Sequence, residues 1–256
     1  MLGIGVTTRN RSTLVAYGLA LIQAHTPREH KLVVVDDASD TPTPGALYSP
    51  TRLGIAEAKT ACLWNLQECD PIVLLDDDCW PTSSAWLNYL DAAYQLQIGH
   101  FIYVPADDNH RVMRPWDTHF QVRRRIPYDK VTLLELDNAS GVMLYIDHST
   151  LMKVGAFNLF RGPYGFEHAG YSDRCWRAGA TGGFGPFLTI SGMDKVMWSV
   201  DFQGRPDQYD GPLSSCMTQE DAARSVETNR ERYLKALSGP IYLPLYNPIS
   251  EEPPFT

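Results

Sequence analysis

Ile72-Val73-Leu74-Leu75-Asp76-Asp77-Asp78-Cys79-Trp80-Pro81 runs four apolar residues directly into three consecutive carboxylates. An apolar run this short, bounded by turn-forming residues, reads as a strand covered on both faces, the habit of parallel sheets. Three adjacent carboxylates repel one another unless a cation or hydrogen-bond donors compensate. A hard divalent ion, Mn2+ or Mg2+, would do so, since it takes oxygen ligands and completes its shell with water and phosphate oxygens. A solvated acidic turn is the other reading of the same three residues.

Upstream, the same pattern recurs. Leu2 to Val6 reads as a strand, Asn10 to Ala24 as a helix, and Leu32 to Val35 as a second buried strand ending in Asp36-Asp37. Pro42, Pro44, Gly45 and Pro50 mark a loop before a helix from Ile55 to Gln67, which leads back to the quoted strand. Alternating short β-branched runs and helices indicate βαβ units. Ligands of open α/β sheets bind beyond the carboxyl ends of the strands, so both acidic clusters are expected to face one cleft.

Downstream, Trp86 to Leu96 reads as a helix and Phe101 to Val104 as a strand. From Asp107 to Lys130 the periodicity weakens, and Arg111, Arg114, Arg123, Arg124 and Arg125 are interleaved with Trp116, His119, Phe120 and Tyr128. Regularity returns with a strand at Gly141 to Ile146, helices at His148 to Val154 and Glu167 to Ala178, a strand at Phe187 to Ile190 and an amphipathic helix at Glu220 to Leu237. The predicted organisation is one α/β domain over 1–239, with a nucleotide half at 1–105 and an acceptor half at 106–239, followed by an extended tail at 240–256.

A chain of 256 residues, 44% hydrophobic and 20% charged, can bury one substantial core. Its net charge of -8 argues against a protein that coats polyanions non-specifically. No apolar run reaches the roughly 18 residues of a membrane span, and no charged leader precedes the first strand, which predicts a soluble, cytoplasmic protein. Five cysteines without a CxxC pair signal neither a disulfide framework nor a zinc knuckle.

Four ordered segments resemble glycosyltransferases of the GT-A fold, especially family 2: Gly5-Val6-Thr7-Thr8-Arg9-Asn10, Val33-Val34-Val35-Asp36-Asp37-Ala38-Ser39, Leu53-Gly54-Ile55-Ala56-Glu57-Ala58-Lys59, and the Asp-x-Asp segment around Asp76 to Asp78. Downstream, Ser140 to Ile146, Val154-Gly155-Ala156-Phe157-Asn158, Gly165-Phe166-Glu167-His168 and Ser172 to Gly179 extend the likeness to about residue 190. The resemblance implies a Rossmann-related GT-A domain that transfers a sugar from a nucleotide diphosphate donor, UDP-sugar favoured, with Mn2+ or Mg2+, in one inverting displacement.

Position by position, it places Thr7, Arg9 and Asp36 at the base and ribose, with Asp36 accepting from a uracil-type N–H, and Lys59 near base or phosphate. Asp76 falls near ribose and metal, Asp77 in the donor site, and Asp78 is the first choice as metal ligand. An inverting transfer needs a carboxylate to take the acceptor proton. The family commonly has Glu-Asp where this chain has Glu167-His168, so Glu167 and Asp173 both stand as candidate bases. His168 is a candidate metal ligand, and Asp194 and Asp201 are oxygen-bearing substitutes for a late-chain histidine ligand.

Arg123, Arg124 and Arg125, with Trp80 and Trp116 as sugar-stacking surfaces, are candidates for the acceptor side, because guanidinium forks match phosphate and carboxylate. A glycan, a protein side chain and a hydroxymethylated DNA base, the last two suggested by phage-encoded relatives of this compact type, are the acceptors weighed. Two rival functions are a nucleotidyltransferase and a non-catalytic nucleotide- or sugar-binding module. The first normally carries a glycine-rich basic loop after the first strand, and Thr7-Thr8-Arg9-Asn10-Arg11 contains no glycine.

Overall fold

The computed structural model describes residues 1–106, 120–128, 131–160, 165–213 and 219–254. Its centre is a six-stranded sheet in the order β3-β2-β1-β4-β9-β6. The strands are β1 (Leu2–Thr8), β2 (His30–Asp37), β3 (Leu47–Ser49), β4 (Ile72–Asp76), β6 (His100–Ile102) and β9 (Met143–Ile146). The first four pair in parallel, whereas β9 is antiparallel to both β4 and β6. All strands but β9 therefore run the same way, and the mainly parallel α/β architecture read from the sequence holds.

Alternating side chains send one face of β1 and β4 (Leu2, Ile4, Val6, Val73, Leu75) into a core with α1 (Ser12–His25) and α3 (Trp86–Gln95). The other sheet face, including Val33, Val35, Ile72 and Leu74, packs on small residues of α2 (Ile55–Leu66) and on α4 (His148–Val154) and α5 (Glu167–Arg177). Cys62, Cys69, Cys79 and Cys175 are buried in these layers and serve packing.

The anticipated boundary at residue 105 crosses an undivided sheet, because β9 of the second half inserts between β4 and β6 of the first. Register places the start of β9 beside the end of β4, where the Asp76 N–H donates to the Val142 carbonyl at 3.0 Å. Two smaller sheets were not anticipated. One is antiparallel, β10 (Leu188–Ile190), β8 (Val131–Leu136) and β7 (Val122–Tyr128), and the other pairs β5 (Cys79–Pro81) with β11 (Met197–Ser199).

A short helix, α6 (Val200–Gln203), and a long one, α7 (Gln219–Ala236), complete the helices named here. The tail is docked: Leu243 exchanges backbone hydrogen bonds with Val154 and Ala156 at 3.0 Å, and the Tyr246 hydroxyl donates to Glu57 at 3.2 Å. Among the described residues no helix is long and apolar enough to cross a membrane.

Candidate active site

The acidic cluster sits where the parallel strands end. Thr7 and Asp76 are register partners on β1 and β4, and the Thr7 hydroxyl lies 3.5 Å from Asp76 Oδ1. Lys59 reaches the same oxygen from α2 at 2.8 Å and donates to the Gly141 carbonyl at 2.6 Å. Its side chain is fully buried, so its charge is matched within the protein.

Asp77 accepts from the Thr8 hydroxyl at 2.7 Å and from Arg11 Nη1 at 2.6 Å. The same Arg11 nitrogen lies 3.0 Å from Asp78 Oδ2. Asp78 Oδ1, in contrast, is buried with no hydrogen-bond partner among the described residues. The Val200 N–H donates to the Asp78 carbonyl at 2.9 Å, which anchors the turn into α6 and brings Asp201 into electrostatic range of Asp78.

Among the described residues, four carboxyls (Asp76, Asp77, Asp78, Asp201) thus stand against two cations (Lys59, Arg11), a formal excess of two negative charges. Burial, and then the neighbouring carboxylates, hold Asp77, Asp78 and Asp201 above the ordinary carboxylate range despite Arg11. Among the described residues no three His, Cys, Asp or Glu side chains already form a ligating group. The unpartnered Asp78 oxygen and the charge excess nevertheless fit a divalent cation.

The second acidic pair does other work. Asp36 is 0% exposed and accepts the Ser39 and Thr43 N–H groups at 2.9 and 2.7 Å, one on each oxygen. Burial alone would raise its pKa, but these bonds outweigh it and lower it. The expectation that Asp36 meets a nucleotide base is therefore corrected: a fully covered carboxylate acts through the loop it folds. Asp37 accepts from the Leu53 and Gly54 N–H groups and so fixes the start of α2. Arg9 lies near enough to act electrostatically on Asp37, and its Nε is buried without a partner.

The structure separates the two candidate bases. Glu167, 3% exposed in the first turn of α5, accepts the Gly165 N–H on Oε2 at 2.6 Å. Burial pushes its pKa up to about 7, against the backbone N–H groups and Lys59 and with Asp76, so the carboxyl senses the acidic cluster directly. Asp173 instead pairs with Arg177 at 2.8 Å, and Arg177 also donates to the Gly239 carbonyl at 2.8 Å. That pair ties α5 to the chain after α7.

His168 lies flat on Gly141, where a Cβ would fall 1.7 Å from its Nδ1. Burial, followed by Lys59, holds the imidazole neutral, and Nε2 is buried without a partner. Its Nδ1 is 3.6 Å from Glu167 Oε1. The histidine is thus grouped with Glu167 and Lys59, while Asp77 and Asp78 are grouped with Arg11.

Trp80 is 1% exposed and packs edge-on against Tyr17 with ring centroids 5.3 Å apart. The expectation of a sugar-stacking surface there is corrected, because a buried ring offers no face to a ligand. Trp116, with Arg111, Arg114 and His119, lies outside the described residues. Arg123 and Arg125 are exposed on the edge strand β7, whereas Arg124 pairs with Glu135 at 2.7 Å and lies over Phe184. Asp194 lies in electrostatic range of Tyr89 and Tyr103.

Arg11 was missed by the sequence reading, although a signal existed. A cation at a helix N-terminus opposes the helix dipole, so an arginine leading into Ser12 and α1 points to an acidic partner elsewhere.

No family model matches the chain. It is 25% identical over 134 residues to an uncharacterised glycosyltransferase of Acanthamoeba polyphaga mimivirus, a match covering 50% of this chain and 48% of that protein. The matched region thus spans about half the length of that curated relative. Among solved structures, GalNAc-T7 with UDP, GalNAc and Mn2+ superposes over 91% of this chain and 50% of its own, with a TM-score of 0.58 at 14% identity. A mannosyltransferase of Pyrobaculum calidifontis, solved with GDP-Man and Mn2+, does so over 70% of this chain and 53% of its own, with a TM-score of 0.50 at 16% identity. These likenesses show the GT-A fold.

Proposed function

We propose that this protein is a metal-dependent glycosyltransferase that moves a sugar from a nucleotide diphosphate donor, UDP-sugar favoured, to an acceptor hydroxyl in a single inverting displacement. The observation that carries the reading is the acidic cluster at the strand ends, two negative charges in excess with a buried, unpartnered Asp78 Oδ1, facing a second buried carboxyl at Glu167. Similarity to a named glycosyltransferase, and a fold shared with enzymes solved with nucleotides and Mn2+, support it.

Asp78, with Asp76 and Asp201 beside it, would hold Mn2+ or Mg2+. When bound, such an ion stabilises the negative charge of the departing diphosphate. The remaining work falls to the chain. Lys59 and Thr7 fix Asp76 from two elements, and Arg11 offsets negative charge on Asp77 and Asp78. Glu167 keeps one oxygen on the Gly165 N–H and uses the other to take the proton of the acceptor hydroxyl. As the oxygen of the acceptor hydroxyl bonds to the anomeric carbon, the bond from that carbon to the β-phosphate oxygen breaks and the nucleoside diphosphate leaves.

A carboxyl held near neutrality suits a base that must be ionised to start and must accept a proton in the transition state. Exposed Arg123 and Arg125 on β7 favour an anionic acceptor, whether glycan, protein or modified DNA. Incubation with UDP-, GDP-, CDP- and TDP-sugars, with and without Mn2+, tests the reading through nucleoside diphosphate release. Slow, metal-dependent release from one donor class is expected, and no release from any donor, with or without candidate acceptors, would refute it.

A further inference from the structure

We propose that α7 braces the candidate base, and that Tyr233 is a positioning residue that acts on Glu167 through the Gly165–Phe166 kink. Only the catalytic half of this proposal rests on the glycosyltransferase reading.

The kink is unusual. Gly165 has φ +120, and Phe166, an aromatic residue, has φ +67 in the left-handed region that such side chains avoid. Together they swing the Gly165 N–H back onto Glu167 Oε2 at 2.6 Å. Without the kink that donor cannot reach the carboxylate, because an N–H two residues upstream in regular helix points elsewhere.

Surroundings must over-determine a backbone of this kind, and α7 supplies them. The Tyr233 ring stacks on Phe166 with centroids 4.5 Å apart and an interplanar angle of 8°. One turn pair earlier on the same helix, the backbone at Val226 lies so near Gly165 that a Cβ there would sit 3.3 Å from the Val226 Cα. The chain after α7 is held in turn by Arg177, which donates to the Gly239 carbonyl at 2.8 Å.

The contact stripe of α7 is narrow, Ser225-Val226, Asn229, Tyr233 and Ala236, spaced three or four apart, while Glu227, Arg230, Arg232 and Leu234 are exposed. Among the described residues, neither large apolar core cluster includes an α7 residue. A helix that stacks on the residue before the base is placed to set where that carboxylate points.

The test uses the full chain with Tyr233→Phe, Tyr233→Leu and Tyr233→Ala. Tyr233→Phe keeps the ring and should match wild type. Tyr233→Ala should lower kcat about 10²-fold, the cost expected of a misplaced catalytic group, with donor KM unchanged. Amide exchange should accelerate over 165–168 and stay unchanged in β1 and β4. Tyr233→Leu, which keeps apolar bulk without a flat ring, should fall between and guards against simple misfolding of the alanine variant.

Unchanged kcat in Tyr233→Ala, unchanged exchange over 165–168, or an equal loss in Tyr233→Phe would each overturn the brace. If wild type turns over no donor, the glycosyltransferase reading fails, and the exchange comparison alone then decides whether α7 holds the kink.

Discussion

The two walls of the candidate site handle buried carboxylates in different ways. On the proposed donor side, Asp77 is paired with Arg11, just ahead of α1, and Asp76 with Lys59 on α2, while Asp78 Oδ1 finds no partner among the described residues. On the proposed acceptor side, Glu167 stands in the first turn of α5 with the Gly165 N–H on its carboxylate and a neutral histidine beside it. The first wall is an electrostatic frame of paired charges, whereas the second depends on a kinked loop. Binding should therefore follow the first wall and turnover the second.

The sharpest way to break that division is Glu167→Gln. It should leave donor binding unchanged and cut transfer about 10²- to 10⁴-fold, the range for losing a general base, measured by steady-state kinetics. Because the working form is the carboxylate and its pKa is held up to about 7, wild-type kcat/KM should rise as pH rises through that region. A variant that keeps full activity would move the base elsewhere, although Asp173 is already engaged by Arg177.

A smaller effect sharpens the acceptor side. Replacing Arg123 and Arg125 with Gln should raise the KM of an anionic acceptor about threefold per residue, since exposed charge contacts contribute on the order of 1 kcal/mol or less. Donor hydrolysis should not change. An unaltered acceptor KM would mark β7 as a solvated edge, where exposed charges also serve to block unwanted strand pairing.

The contrast between the walls also governs what was readable in the sequence. Val33–Val35 and Ile72–Leu75 announce themselves because strands buried on both faces must be apolar throughout, and their acidic ends follow at once. The strand Val122–Tyr128 hides three arginines and Pro127 in an exposed edge, a composition that carries no alternation to detect. β5 and β11, three residues each, exist through pairing with one another rather than through local propensity.

Site residues divide likewise. Asp76 and Asp78 are candidates that local context suggests, but Arg11 and its acidic partners are 66 and 67 positions apart in sequence, a distance no local pattern bridges. Glu167 and Asp173 were indistinguishable as letters. On a helix of about 3.6 residues per turn, six positions put them on different faces, one toward Lys59 and Asp76 and the other toward Arg177. Trp80 and Asp36 were misread for one shared reason: the motif that flags them does not report burial, and both are covered.

The most direct test of the central claim compares the thermal stability of wild type and Asp78→Ala with UDP-, GDP-, CDP- and TDP-sugars, each with and without Mn2+. A ligand that binds only the native state raises its apparent stability. Wild type should be stabilised by one donor class only when Mn2+ is present, and Asp78→Ala should fold normally yet lose that shift. An equal metal-dependent shift in the variant, or no shift in wild type with any donor, would contradict the account.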